Sequence, residues 1–233
     1  MDRRTFLAFS TASLALSPRD APPVRGQKGL RLSTTWWLVS KLPVPDALAL
    51  LTRLGYDGYE MFDWRDPRVM DTFVSLKDKY PLSCECLVAN KGVSAPGCGL
   101  VNPREREEFL KQTQLAIDAA RAVGTQQLVT LTGNEMRGVP RSEQMANAVT
   151  ALRAAAPMLE KSGMTAIVEV LNTYVDHAGY FLYNVRDGAR LIDRVGSPSV
   201  KLLFDIYHVA DYGGKSDREY SKQHRPYRAF PRR

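Results

Sequence analysis

The sequence predicts an α/β protein of the (β/α)8 TIM-barrel type, carrying about six βα units. Three observations carry that expectation. Between Gly29 and Gly214, short runs rich in Val, Ile and Leu alternate six times with stretches of helical periodicity, the pattern of a parallel sheet joined by crossover helices. Polar residues recur where the apolar runs end: Thr34, Glu60, Asn90, Thr132 and Asn134, Glu169 and Asn172, Asp205 and His208. In a barrel those ends converge on one mouth, where such folds place their chemistry. Finally, no Gly-x-Gly-x-x-Gly follows the first strand and no phosphate loop occurs, which turns the reading away from an open doubly wound sheet.

Taken in order, Leu30–Thr34 reads as the first strand. Val44–Leu54 follows as a helix, with Pro45 in its first turn and Gly55 behind it, proline opening and glycine closing. Asp57–Phe62 is a strand ending near Glu60, Pro67–Lys79 a helix and Leu82–Ala89 a strand. Pro103–Val123 is a long amphipathic helix with Asn102 as its expected N-cap and Gly124 beyond its end. Gln127–Leu131 is a strand, and Ser142–Ser162 a helix with Ser142 as candidate N-cap. Thr165–Leu171, Asn184–Val195 and Val200–Ile206 read as strand, helix and strand. Trp36 and Trp37 are expected to shape the mouth and its packing.

The ends differ from this body. The chain has 233 residues and a net charge of +7, of which residues 1–28 carry +3, residues 215–233 carry +5 and the middle −1. Basicity in the two ends and not in the folded body argues against nucleic acid as a partner, which requires Lys and Arg clustered on a face. Residues 1–28 read as a twin-arginine-like signal and linker: Arg3-Arg4 runs into a short apolar stretch, Leu7–Leu16, below the ~20 residues that span a bilayer. The expected location is therefore periplasmic or otherwise exported, without a stable membrane anchor, with the cytoplasm as the alternative. Residues 29–214 form the partial barrel, and residues 215–233 a basic tail expected to be disordered. Cys84, Cys86 and Cys98 lack the second ligand pair of a zinc site and read as small core residues.

Glu169 and Asp205 each close an apolar run. A carboxylate there is costly unless it is paired, hydrogen-bonded or bound to metal, and neighbouring strands ~4.8 Å apart would let the two share one cation.

Glu169-Val170-Leu171-Asn172, His177 and the block from Val195 to His208 ending Asp205-Ile206-Tyr207-His208 resemble the hydroxypyruvate isomerase-like branch of the xylose isomerase-like TIM barrels. Trp36–Lys41, Gly55–Glu60 and Thr132-Gly133-Asn134 agree, so the resemblance covers roughly Gly29 to Gly214. It implies a sugar or hydroxy-keto acid isomerase or epimerase that moves a proton through an ene-diolate with the help of a divalent metal (Mg, Mn or Zn). The fifth-strand Glu of that family maps onto Glu169 and the sixth-strand Asp onto Asp205, the expected metal ligands. Glu169 is also the expected proton-transfer base, and His208 the second catalytic residue. His177, Asn134, Asn172 and Glu60 are candidates for substrate binding, with Glu60 alternatively a hydrogen-bonded barrel residue. Family ligands on a seventh and eighth strand have no counterpart here, so the alternative is a catalytically inactive truncated remnant of such an isomerase. The expected partner is a small sugar or hydroxy-keto acid, with a homodimer covering an open sheet edge. A DNA-repair endonuclease of the same superfamily would need a cluster of zinc ligands. His177, His208 and His224 are the three histidines available, and His224 lies in the tail.

Overall fold

The computed structural model describes residues 31–90, 99–173 and 175–210. The expected signal and linker, the basic tail, Cys98 and His224 lie outside the described residues. Among these, the elements in order are β1 (Ser33–Thr35), α1 (Val44–Leu54), β2 (Gly58–Met61), α2 (Pro67–Leu76), β3 (Ser83–Val88), α3 (Arg106–Val123), β4 (Gln127–Thr130), α4 (Arg141–Ser162), β5 (Thr165–Glu169), α5 (Val185–Val195), β6 (Val200–Leu203) and α6 (Ile206–Ala210). The strand order is sequential, from β1 to β6. The pairs β1–β2, β2–β3, β4–β5 and β5–β6 are all parallel. Six βα repeats in a sequential parallel sheet are the arrangement that the alternation of apolar runs predicts. No described helix is long and apolar enough to cross a membrane.

The described residues fall into two compact units, one within Met1–Leu87 and Asp118–Gln126, the other within Val88–Ile117 and Gln127–Arg233. In the first, Trp36 is buried and packs edge-on against Phe73 and Tyr59, at ring separations of 4.5 and 5.6 Å. Trp37 points away and is 62% exposed. α1 spans the predicted residues, and Gly55 ends it with φ +82°, a left-handed conformation that suits glycine. Cys84 and Cys86 are free and buried, as core residues should be, and desolvation pushes the Cys84 thiol up to about 12.

Gly58 marks the tightest point of this unit. A Cβ there would lie 2.6 Å from the Ser83 carbonyl oxygen and 2.5 Å from Glu85 Oε1, and Ser83 is its register partner on β3. The backbone contact cannot swing away as a side chain would. Gly58→Ala is expected to destabilise the protein by about 1–3 kcal/mol, readable as a lower denaturant midpoint with an unchanged slope.

In the second unit α4 buries Ala148, Leu152, Ala155 and Leu159, the i, i+4, i+7, i+11 stripe of a core-facing helix. α5 approaches the sheet closely through Gly188, whose added Cβ would meet Leu202 Cδ1 at 2.6 Å.

Several boundaries differ from expectation. Ser142 does not cap α4. The helix begins at Arg141 with Pro140 in the N-cap position and no side-chain cap; Gln144 instead ties down the approach, donating from Nε2 to the Val139 carbonyl at 2.8 Å. Pro103–Glu105 is a 3-10 turn ahead of α3, with Asn102 accepting from the Arg104 amide as expected. α2 stops at Leu76, before Lys79. The strand before the site ends at Glu169, two residues short of Leu171. The largest difference follows β6, which ends at Leu203, while Ile206 starts a helix. The cause is Asp205: its Oδ1 accepts from the Tyr207 amide at 2.7 Å and its carbonyl from the Val209 amide at 3.0 Å. This is the capping chemistry that draws a chain out of a strand and into a helical turn.

Candidate active site

β5 and β6 pair in register through Glu169 and Leu203, so Glu169 and the residues just past Leu203 leave the sheet side by side. Asp205 follows two residues on, and α6 turns His208 back toward them. Glu169, Asp205 and His208 thereby each offer a ligating atom, all within 4.8 Å of one another. His208 Nε2 lies 3.9 Å from Asp205 Oδ2. Glu169 and Asp205 are half-buried and His208 is 8% exposed. The two carboxylates are ligands that Mg²⁺, Mn²⁺ or Zn²⁺ accepts, and the imidazole beside them can face either the same cation or a substrate oxygen.

Beside them the Asn172 side chain gathers the residues around it. Asn172 Oδ1 accepts from the amides of Val175 and Asp176, at 3.2 and 3.0 Å. Its Nδ2 donates to Asp176 Oδ2 at 3.0 Å and faces His208 Nδ1, also at 3.0 Å. The His177 ring packs edge-on to that of His208, with centroids 5.3 Å apart. Asp176, His177 and His208 form a second group of potential ligands, but Asp176 is already engaged. Its Oδ2 accepts from Tyr207 Oη at 2.6 Å as well as from Asn172. The Tyr207 hydrogen bond, then the Asn172 one, holds the Asp176 carboxyl below the usual carboxylate range.

Tyr180 supports the base of this loop. It is 0% exposed, accepts from the Thr132 amide at 2.8 Å and donates to the Glu169 carbonyl at 3.1 Å. Burial drives its hydroxyl well above the usual tyrosine range, so it stays a neutral donor. Asn134 joins this region through its backbone, as an antiparallel bridge to Tyr180, with its side chain exposed.

Of the sequence-predicted residues, then, Glu169, Asp205, His208, Asn172 and His177 come together and Asn134 lies next to them by its backbone. Glu60 sits half-buried on β2 in the first unit and belongs to neither ligand group. Asp176 and Tyr180 join the site through the structure alone, and Tyr207, part of the Asp205-Ile206-Tyr207-His208 block, gains its role only there. The four-residue spacing from Asn172 to Asp176, at the start of a Thr-Tyr-Val-Asp loop, was the available signal for an Asn-capped turn.

Arg141, at the first turn of α4, braces the far side of the same unit. Its Nη2 donates to Asp187 Oδ2 at 3.0 Å and to the Phe181 carbonyl at 2.9 Å, and its Nη1 pairs with Glu135. The guanidinium lies over the Phe181 and Tyr183 rings. Burial pushes the Asp187 carboxyl up, but hydrogen bonds from Asn184 and Arg141 outweigh it and hold it below the usual range. A depressed native pKa stabilises the fold above the unfolded value and is lost as pH falls through the native one. The stability advantage of wild type over Asp187→Asn should therefore be constant above about pH 5 and shrink below about pH 4, as acid-unfolding curves of the two would show.

Fold and site together define an α/β protein of the TIM-barrel type with six βα repeats and a carboxylate–imidazole cluster just past the C-terminal ends of β5 and β6. The chain belongs to the xylose isomerase-like TIM barrel family, whose model matches residues 48–230. It is 34% identical to the hydroxypyruvate isomerase of Escherichia coli K12 over 113 residues, 48% of this chain and 43% of that one. It is 27% identical to a putative hydroxypyruvate isomerase of Danio rerio over 179 residues, 74% of this chain and 64% of that one. The chain thus spans less than two thirds of the length of these relatives. Among solved structures, an AP endonuclease of family 2 from Brucella melitensis superposes with a TM-score of 0.69 at 23% identity, covering 83% of this chain and 75% of that one; this likeness is one of fold.

Proposed function

We propose that the chain carries the site of an isomerase that interconverts small hydroxy-keto acids, with hydroxypyruvate as the reference substrate, and that Glu169 and Asp205 hold a divalent cation. The observation that carries this reading is the Glu169–Asp205–His208 cluster at the ends of two paired strands. The hydroxypyruvate isomerase relatives support the substrate class.

Glu169 removes a proton from the hydroxymethyl carbon of the substrate, and the released electron pair forms the carbon–carbon double bond of the ene-diolate. The same carboxyl returns the proton to the neighbouring carbon, the former ketone, while the hydroxyl proton moves between the two oxygens. The product is 2-hydroxy-3-oxopropanoate, with no change in composition or oxidation state overall. His208 and His177 orient the substrate oxygens, and Asp205 together with Glu169 would hold the cation. A bound divalent cation supplies Lewis-acid polarisation of the substrate oxygens.

The test is conversion of hydroxypyruvate by folded protein before and after chelation, then with Mg²⁺, Mn²⁺ or Zn²⁺ restored. Turnover that chelation abolishes and one of these ions restores is the expected result. Turnover indifferent to chelation overturns the metal assignment. Bound metal without turnover of hydroxypyruvate or ketoses favours the inactive alternative. The Arg3-Arg4 start further supports export, which cell fractionation tests.

A further inference from the structure

The orientation of the Asn172 side chain is fixed by groups that cannot change role. Two backbone amides, those of Val175 and Asp176, donate to its Oδ1. Its Nδ2 must therefore be the end that faces Asp176 Oδ2 and His208 Nδ1, each at 3.0 Å. Nδ2 carries hydrogens and no lone pair. The Asn172 backbone amide also donates to His208 Nδ1, at 3.4 Å. Two donors thus converge on one ring nitrogen, and both are buried, with Asn172 at 0% and His208 at 8% exposure. A hydrogen on Nδ1 would confront both.

We infer that Asn172 is a positioning residue that locks His208 as the Nε2–H tautomer, so that His208 acts on the substrate as a hydrogen-bond donor and not as a cation ligand. The functional half of this inference rests on the isomerase reading above; the tautomer half rests on geometry alone. A neutral imidazole with Nδ1 accepting carries its proton on Nε2. Nε2 is the atom turned to Asp205, 3.9 Å from its Oδ2, a separation beyond a direct hydrogen bond. A protonated Nε2 has no lone pair for a metal. The cation therefore falls to the two carboxylates, and the Nε2–H is aimed where a substrate oxygen bound beside them accumulates negative charge. Asp176 completes the device. Held by Tyr207 Oη at 2.6 Å, its Oδ2 takes one Asn172 Nδ2 hydrogen and leaves the other for Nδ1.

The experiment is a long-range ¹H–¹⁵N correlation spectrum of protein labelled with ¹⁵N-histidine, with the His208 signals identified by their loss in His208→Gln. Wild type is expected to show a bare Nδ1 and a protonated Nε2. Asn172→Asp places an acceptor opposite Nδ1, so the proton should move there, with hydroxypyruvate turnover falling about 10²–10³-fold while KM changes little. A wild-type ring protonated on Nδ1 overturns the inference, even if the variant fails to fold. So does an Asn172→Asp variant that keeps the wild-type tautomer. An Nε2–H ring in a protein that turns over no hydroxypyruvate sustains the tautomer lock and overturns the isomerase reading instead.

Discussion

Glu169→Gln is expected to lower hydroxypyruvate turnover by about 10²–10⁴-fold, the range that a positioned general base contributes, and to weaken divalent cation binding at the same time. The two effects share a cause. Gln has nearly the same shape, so the β5 register with β6 and the Tyr180 hydrogen bond to the residue 169 carbonyl should survive. What disappears is the negative charge and the basic oxygen. An amide oxygen is a weaker ligand for a hard cation than a carboxylate, and it removes no proton at neutral pH. Asp205→Asn tests the ligand role separately. There the amide oxygen can still accept from the Tyr207 amide, so α6 should form, and added cation should recover turnover more fully than it does for Glu169→Gln. Steady-state kinetics across a cation titration read both variants, with folding checked by circular dichroism.

The second large effect is on stability. Tyr180→Ala is expected to destabilise by about 3–5 kcal/mol, the usual loss on emptying a fully buried aromatic site. Tyr180 is among the largest fully buried side chains of the described residues, and its hydroxyl ties the Thr132 amide, just past β4, to the Glu169 carbonyl at the end of β5. Tyr180→Phe separates the two contributions. It keeps the ring and leaves the Thr132 amide without its hydroxyl partner in a buried place, which should remove about 1–3 kcal/mol. Because that hydroxyl also sets the position of the Glu169 backbone, the Phe variant should lose turnover out of proportion to its stability. Urea unfolding of the three proteins, alongside their turnover, gives both readings.

How much of this was legible in the sequence follows from which forces act locally. Strands buried in a parallel sheet read as unbroken apolar runs, so β4, β5 and β6 were placed to within a few residues. α1 was bounded correctly because proline and glycine act on their own dihedrals. The convergence of Glu169, Asp205 and His208 was legible for the same reason: parallel strands in sequential order bring their C-terminal ends to one side. The departures arise where a side chain competes with the ladder. Asp205 caps its own helical turn, which no pattern of apolar residues announces. Asn172 is legible as a polar residue after a strand, yet its burial and its two backbone donors depend on the residues that follow. Asp176 and Tyr207 meet across that loop from positions 31 apart in the chain, a pairing that neither periodicity nor spacing encodes.

The most direct test of the central claim is a Mn²⁺ titration of metal-free protein followed by electron paramagnetic resonance, comparing wild type with Glu169→Gln and Asp205→Asn. Saturable binding in wild type that each substitution weakens at least tenfold is the predicted result. Wild-type protein that binds no Mn²⁺, or variants that bind it as tightly as wild type does, would contradict the assignment of these two carboxylates as the cation's holders.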